Sequence, residues 1–411
     1  MKILLVNKFY YPKDGVSNYV LALEAELKKE GHDVRIFAMD SPKNIESTDQ
    51  KYFVSFLSFD KKGIINTWRS LARIFYSFES KYKFKLLVDD FRPDIIHIHN
   101  IYHQISPSIL SVAKVKNIPV VMHLHDYKLI CPNYKLFINN KICEKCRGGR
   151  YYNCLMNKCV KESYLKSLGA TLEMYFHHKI WPIYKTSISN FIAPSHFMKN
   201  ICENFGWPAS RIIYLPNFFQ KTITETSDSH GQSDKDYLLY FGRLAPEKGV
   251  SVILSALQSS SETLKIVGEG PELNNLIKLT ESLNLTNRVK FIGFKSGSEL
   301  LDLIKNSKAV IIPSIWYENM PLNMIESLAL GKVVIASNIG GMPEVINDAE
   351  NGFLFKAGSS LDLALKINDL PKFDLEKISI KARESVKNLN LNDHVRAILE
   401  IYNQAIKDKA I

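Results

Sequence analysis

Short runs of β-branched and other apolar residues alternate along this chain with stretches whose apolar positions recur at helical spacing. Such runs are typical of strands buried on both faces of a parallel sheet, and the stretches between them are typical of covering helices. In the first half, helices are predicted at 19–29 and 106–116, among others. The predicted strands there are 3–7, 34–39, 95–99, 120–124 and 191–193.

The same alternation begins again in the second half, after a polar stretch at 220–236 that has the composition of a linker. A chain of 411 residues is also too long for one ordinary core. We therefore predict an α/β protein with two Rossmann-like parallel-sheet domains, at 1–215 and 216–390, and a final helix at 391–411 that packs back on the first domain. The strands predicted in the second half are 237–241, 264–267, 289–291, 309–312 and 333–336.

Charge is spread unevenly between the halves. Basic residues outnumber acidic ones by 31 to 18 over 1–215, a net +13, whereas 22 basic and 24 acidic residues give −2 over 216–411. The basic half suggests an anionic partner, which is nucleic acid, the acidic lipid of a membrane surface or a phosphorylated acceptor, or else a solvated face. No nucleic-acid motif is present, so we expect no nucleic-acid partner. No apolar run reaches the roughly 18 residues of a membrane span, and we expect a cytoplasmic protein, free or peripheral on the inner face of the membrane.

A basic amphipathic helix is predicted at 67–88. It would place five large apolar residues on roughly one side and would serve as a core helix or bind a membrane surface. These residues are Trp68, Leu71, Ile74, Phe75 and Phe78.

Residues 131–165 interrupt the first domain and carry five of the six cysteines, four of them closely spaced between 143 and 159. In a cytosolic chain, their spacing favours metal ligation or free thiols over disulfides. Four thiolates would form a closed tetrahedral zinc site that staples the insert and leaves no position for substrate. Structural zinc and free thiols both remain open. The four positions are Cys143, Cys146, Cys154 and Cys159.

A cluster of functional candidates follows the predicted strand 309–312, at the sheet edge where parallel sheets bind ligands. Pro321 suits the start of a helix, whose free amides would face a phosphate. Glu326 is polar in an otherwise apolar run and suits ribose hydroxyls, while Glu318 could reach sugar hydroxyls. The alternative is a capped helix with two surface glutamates. The backbone candidates are Asn319, Met320, Pro321 and Leu322.

A second cluster follows the predicted strand 237–241 and contains Gly242, Arg243 and Lys248. The guanidinium and the ammonium could both meet a diphosphate, one as a fork and the other as a point charge. A plain surface turn is the alternative. In the first domain, Gly15 follows the first strand and would permit close approach of a ligand to the backbone, or would serve as a turn.

Two successive strands of the first domain end in histidine-rich segments, His97 with His99 and His123 with His125. Because alternate residues of a strand face one side, His123 and His125 share a face. Buried structural histidines are the usual interpretation of such positions. Two of these strand ends at one cleft nevertheless favour a ligand role for at least one of the rings.

Taken together, these segments resemble the family 4 glycosyltransferases. The likeness covers nearly the whole chain and is most specific in the second domain. It weakens over 131–165, and Gly15-Val16 replaces the Gly-Gly pair that is common in the first loop. The resemblance rests on Asp14-Gly15, His125-Asp126, Phe241-Gly242-Arg243, Glu247-Lys248-Gly249, Gly268-Glu269-Gly270-Pro271-Glu272, Glu318-x7-Glu326 and Gly340-Gly341-Met342-Pro343-Glu344.

The resemblance implies the GT-B fold, in which two Rossmann-like domains face a central cleft, and retaining transfer from a UDP- or GDP-sugar. It implies a glycan or lipid-linked acceptor, a place in bacterial polysaccharide assembly (capsule, exopolysaccharide or O-antigen), and no cofactor for catalysis. The one Asp-x-Asp, at 234–236, lies in the linker. The resemblance implies that Arg243 and Lys248 stabilise the departing diphosphate and that Glu326 binds the ribose. Glu318 and the 319–322 backbone would bind the donor sugar and phosphate, and Gly242 would also contact the donor. His125 would contact the anomeric centre, and Gly15 would lie over the diphosphate.

Three other functions agree less well with these motifs than glycosyl transfer does. A nucleotide-sugar epimerase on the same fold is disfavoured because the combination of Arg243 and Lys248 with Glu318 and Glu326 argues for transfer. A non-catalytic sugar-nucleotide-binding protein is disfavoured by the completeness of the motifs. A nicotinamide dehydrogenase is disfavoured because no Gly-x-Gly-x-x-Gly follows the first strand of either domain.

Overall fold

The computed structural model describes residues 1–57, 73–219 and 237–410. The predicted linker with its Asp-x-Asp, and Trp68 and Leu71 of the predicted basic helix, lie outside the described residues. Within them, each half of the chain forms one six-stranded sheet in which every pairing is parallel, as the apolar runs predict.

The first sheet has the order β2-β1-β3-β4-β7-β8, and a two-stranded antiparallel hairpin, β5-β6, belongs to the insert. The order reverses between β1 and β3, which opens a crevice at the carboxyl ends of those strands. The strands are β1 Lys2–Val6, β2 Asp33–Phe37, β3 Ile95–Ile98, β4 Val120–His123, β5 Phe137–Ile138, β6 Lys141–Ile142, β7 Asn190–Ala193 and β8 Ile212–Tyr214.

The second sheet has the order β11-β10-β9-β12-β13-β14 and reverses between β9 and β12. The two clusters of candidate residues follow these two strands, so both lie at the crevice where ligands of such sheets bind. The strands are β9 Tyr237–Phe241, β10 Thr263–Val267, β11 Val289–Gly293, β12 Ala309–Ile312, β13 Val334–Ser337 and β14 Phe353–Phe355.

Helices cover both faces of each sheet, and each domain has two apolar layers. No helix in the described part of the chain is both long and apolar enough to cross a bilayer. The α-helices are Gly15–Lys29, Phe78–Phe91, Leu110–Val115, Tyr152–Met156, Tyr164–Tyr175, Ile183–Ser187 and His196–Asn204 in the first half, and Val250–Ala256, Leu273–Ser282, Gly297–Lys305, Leu322–Ala329, Ser360–Asp369, Leu375–Val386 and Leu391–Ala410 in the second.

The last helix, Leu391–Ala410, packs on the first domain rather than on the domain that precedes it. Its residues Ile398 and Tyr402 are fully buried in the same apolar layer as Leu5 and Leu23. The polypeptide therefore crosses between the domains twice, and the second crossing covers one face of the first sheet.

The predicted basic helix over 67–88 is interrupted in its described part: residues 73–75 and 78–88 are helical, and residues 76–77 between them are not. The helix Phe78–Phe91 begins after Ser77, whose side chain accepts a hydrogen bond from the backbone N–H of Ser80. Serine is a favoured N-cap residue, and the cap separates Phe78 from the preceding segment. Phe78 is 80% exposed whereas Phe75 is half-buried, so the two do not share one apolar face.

Candidate functional site

A buried carboxylate and an ammonium meet just beyond β12. Glu318 is buried, and its Oε1 accepts hydrogen bonds from Lys248 Nζ at 2.6 Å, Ser314 Oγ at 2.6 Å and Trp316 Nε1 at 2.8 Å. Burial acts to raise the pKa of Glu318, but the Lys248 ammonium and the hydrogen bonds outweigh it and hold the pKa below its usual range. Glu318 is therefore ionised at neutral pH, and no described residue donates a hydrogen bond to its Oε2.

Close backbone packing sets the position of this pair. Gly249 has φ of +67°, and a Cβ there would lie 2.1 Å from the carbonyl oxygen of Pro313, at the end of β12. Likewise, a Cβ on Gly340, where φ is +65°, would lie 2.1 Å from the carbonyl oxygen of Glu318. Since only glycine tolerates both the dihedral and the contact, the two motif glycines hold the loops around Glu318 against each other.

The loop after β9 presents its arginine to solvent. Arg243 is exposed, and no ion pair joins it to another residue in the described ranges. The loop is held from behind, because the Tyr240 hydroxyl donates to the carbonyl of Arg243 at 2.8 Å. Gly268, with φ of +136°, lies so close that a Cβ would be 1.9 Å from the carbonyl oxygen of Gly242. The guanidinium is therefore available to a ligand on a braced loop.

The helix Leu322–Ala329 begins at this edge without a side-chain cap. Pro321 is its N-cap, one residue before the first turn in which the sequence placed it. Asn323 Nδ2 donates to the carbonyl of Phe241 at 3.0 Å, which joins the helix start to β9. Amides of an uncapped first turn form an anion site with the helix dipole.

Glu326 lies one turn into the same helix and is half-buried. Burial raises its pKa to about 7. None of the described side chains donates a hydrogen bond to its carboxylate. A buried acceptor without a partner in the protein is suited to hydroxyl donors from a ligand.

Two first-domain segments face this helix start. A Cβ on Gly15 would lie 3.3 Å from Leu322 Cδ1, so the backbone after β1 closes on the helix across the cleft. His125 is half-buried, and its Nε2 lies 2.9 Å from His99 Nδ1. Burial lowers the pKa of His125 to about 3, so its ring is neutral near pH 7. His125 also follows Leu124, whose carbonyl accepts a hydrogen bond from Asn319 Nδ2 at 2.9 Å.

Sequence reasoning did not identify the residues that bridge the domains. Asn319 Oδ1 accepts from Ser195 Oγ at 3.0 Å, and the Glu344 carboxylate accepts from the backbone N–H groups of His196 and Phe197, at 2.8 and 2.5 Å. These partners are distant in sequence, and neither partner has a pattern that points to the other. Three more bridges are Tyr317 Oη to Glu144 Oε1, Asn217 Nδ2 to the Met320 carbonyl, and Lys135 Nζ to Glu247 Oε1, each at 2.9 Å.

The insert cysteines are all free thiols in the structure. The backbone N–H of Cys159 donates to the carbonyl of Cys154 at 3.1 Å, and Cys154 packs in a small core with Cys146 and Tyr151. In the described ranges, the one group of three or more potential ligands close enough to share an ion consists of histidines of the first domain, not of these cysteines. Zinc at Cys143, Cys146, Cys154 and Cys159 stays a prediction.

Two Rossmann-like domains that close on a site of cations, helix amides and carboxylates define a GT-B glycosyltransferase. Comparison with known families agrees with this class. Residues 13–220 match the model for Glycosyltransferase Family 4, and residues 222–384 match that for Glycosyl transferases group 1. The chain therefore belongs to the family 4 glycosyltransferases, as the motifs predict.

Similar proteins from other organisms match different shares of the chain. A Klebsiella pneumoniae protein described as an uncharacterized 42.6 kDa protein in the cps region is 25% identical over 88% of this chain and 92% of its own length. The lipopolysaccharide 1,2-N-acetylglucosaminetransferase of Salmonella typhimurium is 28% identical over 54% of this chain and 62% of its own length. An uncharacterized glycosyltransferase of Methanocaldococcus jannaschii is 25% identical, and the match spans 60% of its length.

Solved structures confirm the GT-B fold. HepE of Anabaena in complex with UDP and glucose superimposes with a TM-score of 0.67 over 98% of this chain and 100% of that chain, at 19% identity. Sucrose-phosphate synthase from Thermosynechococcus elongatus gives a TM-score of 0.70 at 17% identity over 99% of both chains. At such identities the likeness concerns the fold alone.

Proposed function

We propose that this glycosyltransferase is a retaining enzyme that transfers a sugar from a nucleoside diphosphate to a glycan or lipid-linked acceptor in bacterial polysaccharide assembly. The observation that carries the proposal is the Lys248–Glu318 pair beside an uncapped helix start, facing Gly15 and His125 across the cleft. The names of the Klebsiella and Salmonella relatives support a polysaccharide role. The proposed donor is a UDP- or GDP-sugar.

The departing diphosphate is the part of the reaction that needs the most electrostatic help. Negative charge builds on its oxygens as the glycosidic bond breaks, and preorganised cations and amides lower the barrier. Arg243 and Lys248 supply two positive charges, and the helix start at Leu322 supplies N–H groups and the positive end of a helix dipole. We propose that these groups stabilise the leaving group without a catalytic metal ion.

The carboxylates have different tasks in this proposal. Glu326 accepts hydrogen bonds from ribose hydroxyls, because its partnerless carboxylate gains on binding the partners that it lacks in the free protein. Glu318 keeps Lys248 in place through Oε1 and offers Oε2 to a sugar hydroxyl. Both carboxylates therefore position the donor while the cations stabilise the leaving group.

The state of His125 supports retention over inversion. An inverting transferase needs a base on the face opposite the leaving group, and His125 is the side chain placed best for that task. Its pKa of about 3 and its occupied Nε2 make it a poor base near pH 7. We propose instead that the acceptor enters on the face of the departing diphosphate, whose oxygen takes the acceptor proton.

An exposed surface on the helix Tyr164–Tyr175, which begins where the insert ends, supports attachment to an anionic membrane. On the helix Tyr164–Tyr175, Leu165 is 82% exposed, Leu168 38% and Leu172 50%, at the spacing of one helix face. The exposed lysines Lys158, Lys166 and Lys179 lie in the same region of the sequence. An exposed apolar stripe on a helix in a basic segment is the pattern of an interfacial helix.

Flotation with liposomes tests the membrane proposal. Replacing Leu165 and Leu172 with Asp should abolish binding to anionic liposomes, and added salt should weaken wild-type binding, because charge attraction is screened. The matched control is Leu361→Asp with Leu365→Asp, which alters two exposed leucines, at 70% and 54%, on a second-domain helix. Equal binding to neutral liposomes, or equal loss in both variants, contradicts the proposal.

Acceptor-dependent turnover tests the proposed activity itself. A panel of nucleotide sugars is first screened for thermal stabilisation of the protein, since a ligand that binds the folded state raises its stability. The stabilising donor is then assayed for release of nucleoside diphosphate with glycan and lipid-linked acceptors. Release that requires an acceptor supports the proposal. Donor binding without release for any acceptor contradicts it and favours a non-catalytic binding protein.

A further inference from the structure

Three histidine rings meet in the interior of the first domain, away from solvent. His97 and His99 alternate on and just beyond β3, and His123 ends the neighbouring β4, so all three project from one face of the sheet. Each is 0% exposed. Each offers one ring nitrogen as a potential metal ligand, and these nitrogens lie within 4.8 Å of one another.

The two nitrogens of each ring are in different situations. Every Nδ1 has a partner: His97 Nδ1 lies 2.6 Å from the Tyr402 hydroxyl, His123 Nδ1 lies 3.3 Å from the Tyr19 hydroxyl, and His99 Nδ1 lies 2.9 Å from His125 Nε2. Every Nε2 is buried and has no hydrogen-bond partner. Three orphaned nitrogens on three neighbouring rings are exceptional, because buried polar atoms are normally satisfied.

We propose that His97, His99 and His123 bind one transition-metal ion of the zinc type through their Nε2 atoms. Ligation would satisfy all three orphaned nitrogens at once. The Nδ1 contacts are those that metal-binding histidines need, because a partner on the second nitrogen fixes the ring and its tautomer.

The geometry of such a site is compatible with these positions. Zinc–nitrogen bonds of about 2.0–2.1 Å in a tetrahedral site place the ligand nitrogens about 3.3 Å apart. One ring nitrogen of each histidine already lies within 4.8 Å of the others, and rotations of the side chains would bring the three Nε2 atoms to the shorter spacing. The fourth position would take a water or hydroxide. The ion would be structural, since rings that are 0% exposed leave no route for a sugar.

A metal at this place would act on the candidate active site through one hydrogen bond. With the ion on His99 Nε2, the proton of His99 must be on Nδ1, which then donates to His125 Nε2. His125 would consequently keep its own proton on Nδ1. His99 is thus a positioning residue that selects the tautomer of His125.

Metal analysis of purified protein tests the proposal without any donor or acceptor, so its result is independent of the proposed function. The starting variant replaces Cys143, Cys146, Cys154 and Cys159 with Ser, to remove the other candidate zinc ligands. We expect it to hold about one ion per chain, with an X-ray absorption spectrum of nitrogen or oxygen ligands at about 2.0–2.1 Å and no sulfur at about 2.3 Å. Adding His97→Gln should remove the ion, and the matched control His178→Gln, at another buried histidine, should not.

Two results would overturn the proposal. One is less than about 0.1 ion per chain after equilibration with excess zinc. The other is a zinc content that His97→Gln leaves unchanged. If the cysteine variant does not fold, the wild-type spectrum decides, because a shell with nitrogen ligands supports the site and a sulfur-only shell or absence of metal contradicts it.

Discussion

Replacing Lys248 with Met tests the diphosphate site most sharply, because it removes a charge while keeping the length of the side chain. In the wild type, Lys248 Nζ is 2.6 Å from Glu318 Oε1, and the two side chains are 27% and 7% exposed. After the change, Glu318 keeps two neutral donors, from Ser314 and Trp316, but loses its counter-charge. Both stability and turnover should therefore fall.

The two effects have different magnitudes and origins. A hydrogen bond to a charged group contributes about 1.5–3 kcal/mol, and the partial exposure of Lys248 favours the lower part of that range. We expect the free energy of unfolding to fall by about 2 kcal/mol, with the fold retained. Losing one fixed group that stabilises the transition state typically lowers turnover by about 100-fold.

A double variant separates these effects. Lys248→Met with Glu318→Gln removes the unpaired charge, so the free energy of unfolding should recover. Turnover should stay low, since the cation at the diphosphate is still missing. Denaturant unfolding and acceptor-dependent release of nucleoside diphosphate are the two assays. Turnover within twofold of the wild type in Lys248→Met, or its recovery in the double variant, would refute the role of Lys248.

Four further outcomes are expected. Nucleoside diphosphate should bind about tenfold more weakly at pH 6 than at pH 8, because the ribose hydroxyls bind the ionised form of Glu326 and the pKa of Glu326 is about 7. Calorimetry should show that Glu326→Gln abolishes this dependence on pH. Because the pKa of Glu326 is raised in the folded protein, its protonation stabilises the unliganded fold fully below the ordinary glutamate pKa of about 4.3, and this stabilisation is lost as pH rises through about 7. The free energy of unfolding of Glu326→Gln should therefore lack this dependence on pH. Gly341→Ala should lower turnover by more than about tenfold, because its Cβ would lie 1.9 Å from the Asn319 carbonyl oxygen, whereas Gly169→Ala, with open space, should leave kcat unchanged. Elemental analysis of His97→Gln protein should find about one zinc per chain if the insert cysteines ligate it, and well under one contradicts that site.

Much of the fold could be predicted from local pattern. The strands at 237–241 and 309–312 agree with β9 and β12 residue for residue, because long apolar runs in parallel sheets have little alternative. The edge strands β8 and β14 were not predicted, since three residues carry too little pattern. Helix starts depended on caps that the periodicity does not show, as with Asp14, which caps the first helix at Gly15 rather than at residue 19.

The candidate site was predicted in part for the same reason. Its motif residues come directly after strands, so order along the chain places Lys248 and Glu318 at one edge of the second sheet. Contacts between domains have no such local signal: Asn319 pairs with Ser195 and with the Leu124 carbonyl, 124 and 195 positions away. The histidine cluster was visible as a pattern, but only the fold shows that its Nε2 atoms lack partners.

The stereochemistry of the product tests the proposed retaining mechanism most directly. The donor that stabilises the protein, with an α-linked sugar, is incubated with its acceptor, and proton NMR of the anomeric signal is recorded early in the reaction. We expect an α-linked product. In the proposed mechanism the diphosphate held by Arg243 and Lys248 takes the proton of an acceptor that enters on the same face of the sugar, and neutral His125 does not act as a base. A β-linked product would contradict retention and would make His125 the base of an inverting enzyme.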